Sequence, residues 1–260
     1  MKLNHIFLFL SLLAVLIACG ERKENASNTN ENTVRQNGFE VKDGMVYGLA
    51  CEGCNDTFVV MIPTADLEGQ PLKLNVLRAF KKHRVIGKLE PGDWCAVMLN
   101  EKDMTVADMV INMDLIKGKW VHQVMPTEKE NARAMILHEN PDANVDSIIQ
   151  SYMLPVERGF QLMRQGKAAS IGVSLLGVIN TEEESFVEYP ASSLYASWKV
   201  AYGKIIFSEA DSIIDPDDPD MKRKILNKNC ERDTCDLVLL LKDSLQISYQ
   251  GKVSSYYRAK

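Results

Sequence analysis

Cys51-Glu52-Gly53-Cys54 is the spacing in this chain best suited to chemistry. Two thiols three positions apart can form a redox pair, hold a soft metal, or close a disulfide. Redox catalysis needs the first thiol at a helix N-terminus, where orphan N–H groups favour the thiolate. Here Gly53-Cys54-Asn55-Asp56 reads as a hairpin turn between strands, which argues against it. A metal site needs further ligands. Cys230 and Cys235 are candidates, but their spacing is looser than a zinc knuckle. A structural disulfide is the favoured reading for Cys51–Cys54 and for Cys230–Cys235. Asp215, Asp217, Asp218 and Asp220 offer clustered carboxylates without the glycine and terminal glutamate of a calcium loop. Met104, Met109 and Met113 are soft donors, yet Met109 and Met113 share a strand face with Ile111 and read as core. No phosphate loop, His-Glu-x-x-His or Gly-x-Ser-x-Gly pattern occurs, and the histidines lie far apart. These observations predict no catalytic residue, no metal, no cofactor and no enzymatic activity.

The thiols also bear on the compartment. The chain holds six cysteines. Cys19 ends a short apolar run, Ile6 to Ile17, that follows the basic residue Lys2. The run is too short to span a bilayer and reads as a secretory signal. Leu16-Ile17-Ala18-Cys19 resembles the lipobox of bacterial lipoproteins. That resemblance implies cleavage before Cys19 and a diacylglycerol on its thiol. Gly20 in second place then implies the outer membrane, with the face left open. Five cysteines remain in an oxidising compartment, so at least one is left over. Cys95, within the strand-like Trp94-Cys95-Ala96-Val97-Met98-Leu99, is expected to be the buried free thiol.

Composition narrows the rest. Residues 20–38 are rich in Asn, Glu, Thr and Ser, and are expected to form a flexible tether. About 220 residues follow, enough for one large domain or two small ones. The net charge of −5 becomes −6 once Lys2 leaves with the signal, and an acidic chain is a poor partner for nucleic acid. The basic runs at Lys81-Lys82-His83-Arg84 and Lys222-Arg223-Lys224 read as solvated faces.

Hydrophobic periodicity makes the chain mostly β, with one or two short helices. Residues 38–116 are expected to form a small OB-like or partly open β unit carrying Cys-x-x-Cys. Lys73–Lys82 in it can hold a short helix. Residues 117–260 form the second predicted domain. Thr127-Glu128-Lys129-Glu130 offers a capping-box start to a helix reaching His138. Strands then alternate with tight turns at Gln165-Gly166, Tyr202-Gly203, Asp243-Ser244 and Gln250-Gly251, which predicts an antiparallel up-and-down meander closing into a barrel.

Gly118-Lys119-Trp120, Gly159-Phe160, the Gly166–Ile171 stretch, Trp198-Lys199 and Asp243-Ser244-Leu245 resemble, in that succession, the lipocalin-like lipoprotein domains common in Bacteroidetes. The resemblance spans about residue 117 to the C-terminus. It implies a lipocalin-like barrel with Trp120 near its closed end, packed against late strands. Trp120, Phe160, Trp198, Tyr202 and Phe207 are the candidate lining residues. Tyr47-Gly48-Leu49-Ala50-Cys51-Glu52-Gly53-Cys54 is similar to the Cys-x-x-Cys segment of NlpE-type copper-response lipoproteins. The expected function is a membrane-anchored envelope lipoprotein that binds a small apolar ligand or an envelope protein. The alternative is an envelope stress or copper sensor using Cys51 and Cys54.

Overall fold

Period-two alternation and left-handed turn dipeptides build nearly all of this molecule. The structure, a computed structural model, describes residues 33–36, 39–173, 185–210, 212–214, 223–225 and 232–260. The expected signal peptide, the expected lipidation site Cys19, the acidic run 215–220 and Cys230 lie outside the described residues.

The first strands are β1 (Thr33–Gln36) and β2 (Phe39–Lys42), paired antiparallel. This corrects the expected tether, whose end at 33–36 has a strand partner that composition does not reveal. Next come β3 (Val46–Ala50), β4 (Phe58–Pro63), β5 (Leu72–Asn75), a helix at Leu77–Lys81, β6 (Val85–Ile86), β7 (Trp94–Leu99) and β8 (Ala107–Asn112). They form a sheet in the order β5-β4-β3-β7-β8-β6. A parallel bridge, Asn75↔Val106, ties the end of β5 to the start of β8. A meander of three strands, a helix, and two strands that return beside both edges is an OB-like arrangement.

A four-residue helix, Met113–Ile116, leads into the second sheet, with the Asn112 side chain accepting from the N–H groups of Asp114 and Leu115. The strands are β9 (Gly118–Val124), β10 (Thr127–Glu128), β11 (Val156–Leu162), β12 (Ala168–Ile171), β13 (Val187–Glu188), β14 (Tyr195–Ala201), β15 (Lys204–Glu209), β16 (Ser212–Ile214), β17 (Arg223–Ile225), β18 (Arg232–Leu240), β19 (Ser244–Tyr249) and β20 (Lys252–Arg258). Eight of them form one antiparallel sheet, β12-β11-β9-β20-β19-β18-β15-β14. The first strand pairs the last, with Trp120 opposite Arg258. The two edges meet at the Lys167↔Ser197 bridge and through Ser170, whose hydroxyl donates to Ser193 O at 2.7 Å and accepts from Tyr195 N at 2.8 Å. The result is a nearly closed antiparallel up-and-down barrel.

Its turns follow the sequence. Tyr202-Gly203 and Gln250-Gly251 both have positive φ at each position, the geometry of a two-residue hairpin. The capping-box expectation fails. Thr127 and Glu128 form β10, which pairs β13, and the helix runs only from Ala132 to Glu139. A strand partner distant in sequence outweighs a local cap. A second helix, Val145–Tyr152, starts at Asn144, whose side chain accepts from Ser147 N.

The two sheets share a core. Met45, Ala96, Met109 and Ile111 from the first belong to one buried cluster with Trp120, Trp198, Val200 and Leu240 from the second. Polar contacts fix the junction. Tyr47 Oη donates to Val200 O at 3.0 Å, and the buried Asp43 carboxylate pairs with Lys199 Nζ at 2.9 Å.

Candidate functional site at the barrel mouth

Alternation along β9 puts Trp120, His122 and Val124 on one face. On β11 the corresponding residues are Arg158, Phe160 and Leu162, and the register sets Arg158 opposite His122 and Phe160 opposite Trp120. The lower barrel is filled. Trp120, Leu162, Ile205, Phe207 and Leu245 are each at most 1% exposed. Trp120 Nε1 donates to Ile116 O at 2.7 Å, and the Arg258 guanidinium covers its ring at 4.1 Å from the centroid. Arg258 also donates to the carbonyls of Leu115, Lys117 and Lys242 at 2.6, 2.7 and 2.5 Å. Gly118 holds a positive φ, and a Cβ there would lie 2.2 Å from the Arg258 guanidinium, so the first residue of the Gly-x-Trp triplet lets this cation approach.

Above this floor a cavity of about 380 Å³ opens, lined by residues that include His122, Arg158, Phe160, Tyr195, Lys252 and Tyr256. Its base is aromatic. Phe160 lies 5.0 Å from Tyr256 and 4.8 Å from Phe207, and Tyr195 lies 4.6 Å from Phe207, between ring centroids. Its walls are polar. Arg158 Nη1 donates to Ser192 Oγ at 2.8 Å and to the Pro190 carbonyl, with the guanidinium over the Tyr189 ring. Tyr195 Oη donates to the Asp233 carboxylate at 2.9 Å. Burial, then the Asp233 charge, raises the Tyr195 hydroxyl above the ordinary phenol range, and burial raises Tyr256. Burial and the nearby Arg158 charge lower His122, so its imidazole is neutral at pH 7. Two buried nitrogens, His122 Nδ1 and Arg158 Nε, have no hydrogen-bond partner.

Of the expected lining residues, Trp120, Phe160, Trp198 and Phe207 are buried in the shared cluster, and Phe160 alone of these reaches the cavity. Tyr202 is corrected. It occupies the β14–β15 turn with φ +50 and is 61% exposed, its ring against Gly44. A turn residue has left the alternation that aims side chains inward. His122, Arg158, Tyr195, Lys252 and Tyr256 were missed. Their signal was positional: His122 follows Trp120 by two residues, and Arg158 precedes Phe160 by two, which on a strand means the same face.

The expected Cys51–Cys54 disulfide is also corrected: both are free thiols, as are Cys95 and Cys235. The β3–β4 loop that carries Cys51 and Cys54 is instead closed by backbone bonds, Cys51 N to Val60 O and Asn55 N to Phe58 O, each 2.8 Å. Cys54 Sγ is engaged with the Val60 backbone at 3.4 Å, and Cys51 Sγ with Leu49 O at 3.7 Å. Cys95 is fully buried, and burial, with the neighbouring Cys54 thiol next, pushes it up to about 12. Among the described residues no group of three or more His, Cys, Asp or Glu is placed to hold a metal ion.

No protein-family model matches the chain, and no curated protein does. Among solved structures, it is similar to a lipocalin-like protein from Bacteroides thetaiotaomicron VPI-5482, at 20% identity and a TM-score of 0.28, over 56% of this chain and 97% of that one.

Proposed function

We propose that this chain is a membrane-anchored envelope lipoprotein without catalytic activity, whose barrel mouth binds a small ligand with an apolar face. One observation carries the reading: the cavity of about 380 Å³ lies over an aromatic shelf while the barrel beneath it is filled. A ligand therefore rests on Phe160, Tyr195 and Tyr256 rather than threading the barrel axis. The volume is near the lower end of the roughly 300–1,000 Å³ usual for ligand pockets. The lipid on Cys19 holds the barrel at the membrane, and Gly20 directs it to the outer one. Copper sensing through Cys51 and Cys54 has no comparable support, since among the described residues no third ligand joins them.

Titration of the purified protein with the neutral fluorophore N-phenyl-1-naphthylamine tests the pocket. Saturable binding at one site is expected, and Ser254→Phe, which fills the cavity from β20, should abolish it with the melting temperature retained. Absence of saturable binding by any small aromatic probe overturns the reading. Mass spectrometry of the mature N-terminus tests the anchor, which a start at any residue other than a diacylglyceryl Cys19 overturns.

A further inference from the structure

The cavity walls say more than that the ligand is small. Buried polar atoms in folded proteins nearly always find partners, so each exception needs a physical cause. His122 Nδ1 and Arg158 Nε are two such exceptions, on side chains directly opposite each other in register and lining one cavity. Arg158 is not a loose surface cation. Ser192 Oγ and the Pro190 carbonyl accept from its Nη1, and the Tyr189 ring lies under the guanidinium, while its Nε–H has no acceptor. Lys252 adds a second cation at the rim.

Charge distribution points the same way. The chain as a whole is acidic, net −5, yet none of the described residues lining this cavity is acidic. Asp233, on β18 nearby, does not line the cavity and accepts from Tyr195 Oη. A cationic recess on an acidic protein disfavours cations and binds most tightly an occupant that brings an acceptor to the guanidinium.

From this pairing of unmet donor and aromatic shelf, resting on the pocket reading above, we infer that the barrel mouth takes a small amphipathic anion. Its apolar part lies against Tyr256 above Phe160, and its acidic group meets the accessible part of the Arg158 guanidinium beside His122, on the side of the cavity that Lys252 rims. The shared chemistry is one acidic group on an apolar body of ring size.

The test compares two probes with the same ring system: 8-anilinonaphthalene-1-sulfonate, which is anionic, and N-phenyl-1-naphthylamine, which is neutral. The anion should bind about tenfold or more tighter, as expected for a charge-assisted hydrogen bond in a sheltered site. Arg158→Gln should remove most of that difference by weakening the anionic probe far more than the neutral one. Should Arg158→Gln lower the melting temperature, Lys252→Gln at the exposed rim serves instead, and should weaken the anion about threefold with the neutral probe unaffected. Equal affinity for the two probes, or a difference that survives both substitutions, overturns the anion inference while leaving the pocket in place. Failure of both probes to bind overturns the pocket itself.

Discussion

The two ends of the barrel treat an arginine in opposite ways. At the closed end Arg258 donates to three backbone carbonyls and covers the Trp120 ring, joining the first strand to the last. Nearby Asn112, 2% exposed, is equally well partnered. It accepts from two helix N–H groups and donates to Lys88 O and Asp93 Oδ2, both at 2.7 Å. At the mouth Arg158 is clamped on one side only, and the neighbouring His122 keeps a buried nitrogen without a partner. Fully satisfied polar groups specify one packed arrangement, whereas unsatisfied ones mark where the fold has left an interaction open. On this comparison, stability resides at the closed end and recognition at the mouth.

Substitution at the closed end should therefore have the largest effect. Trp120→Ala removes a fully buried indole and unpairs the Ile116 carbonyl. It is expected to cost about 3–5 kcal/mol, read by urea denaturation. A loss below about 1 kcal/mol would mean that the closed end is not the stabilising region and would break the comparison. Arg258→Met keeps the stem packing but deletes three carbonyl contacts and the cation over the ring. A loss of roughly 2–4 kcal/mol is expected in the same assay. A larger loss than for Trp120→Ala would shift the emphasis from the ring to the cation that clasps it.

How much of this was legible in the sequence follows from what each element depends on. The hairpins at Tyr202-Gly203 and Gln250-Gly251 were readable because positive φ at consecutive positions restricts the residue types that fit. The meander was readable because those turns punctuate period-two runs. Thr127-Glu128 misled because its capping box is a local signal, and β13, some sixty residues on, supplied a competing partner that no local rule reports. The helix at Val145–Tyr152 was hidden by Pro141, which reads as an end though a new cap at Asn144 follows it. The candidate site was mostly illegible for a different reason. Of the large aromatics expected as lining, Trp120, Trp198 and Phe207 are buried away from the cavity, Tyr202 is exposed in its turn, and only Phe160 reaches the mouth. The groups that define the mouth include polar residues two positions from those aromatics, His122 after Trp120 and Arg158 before Phe160. They become meaningful only when register places His122 across from Arg158.

The mouth should tolerate change. Lys252→Gln lies at the exposed rim of the cavity. It is expected to alter unfolding free energy by less than about 0.5 kcal/mol, despite weakening an anionic probe. A loss comparable with that of Arg258→Met would mean the rim cation is structural and would erase the distinction between the ends.

The smallest effect, and the one that most sharpens the comparison, is the pH response of His122. Burial and the Arg158 charge lower its folded pKa below the ordinary 6.5. The unfolded chain therefore binds a proton more readily than the folded one, and stability rises with pH between the two values. The stabilising contribution is complete above about pH 6.5 and declines as pH falls through the folded pKa. The groups facing His122 are Arg158, the Tyr256 ring at 4.7 Å, and across the cavity Tyr195 and Lys252. Both phenols are raised by burial, further away from this window. His122→Gln should flatten the dependence of melting temperature on pH between about 4.5 and 7, a window that reaches roughly two units below the unperturbed imidazole. Anion binding should run the other way. An acidic group beside the imidazole favours its protonated form, so probe affinity for 8-anilinonaphthalene-1-sulfonate should increase as pH falls while the free protein loses stability. Opposite slopes for binding and stability, both flattened by His122→Gln, would tie the unpartnered imidazole to the ligand. Parallel slopes would assign it to the fold alone.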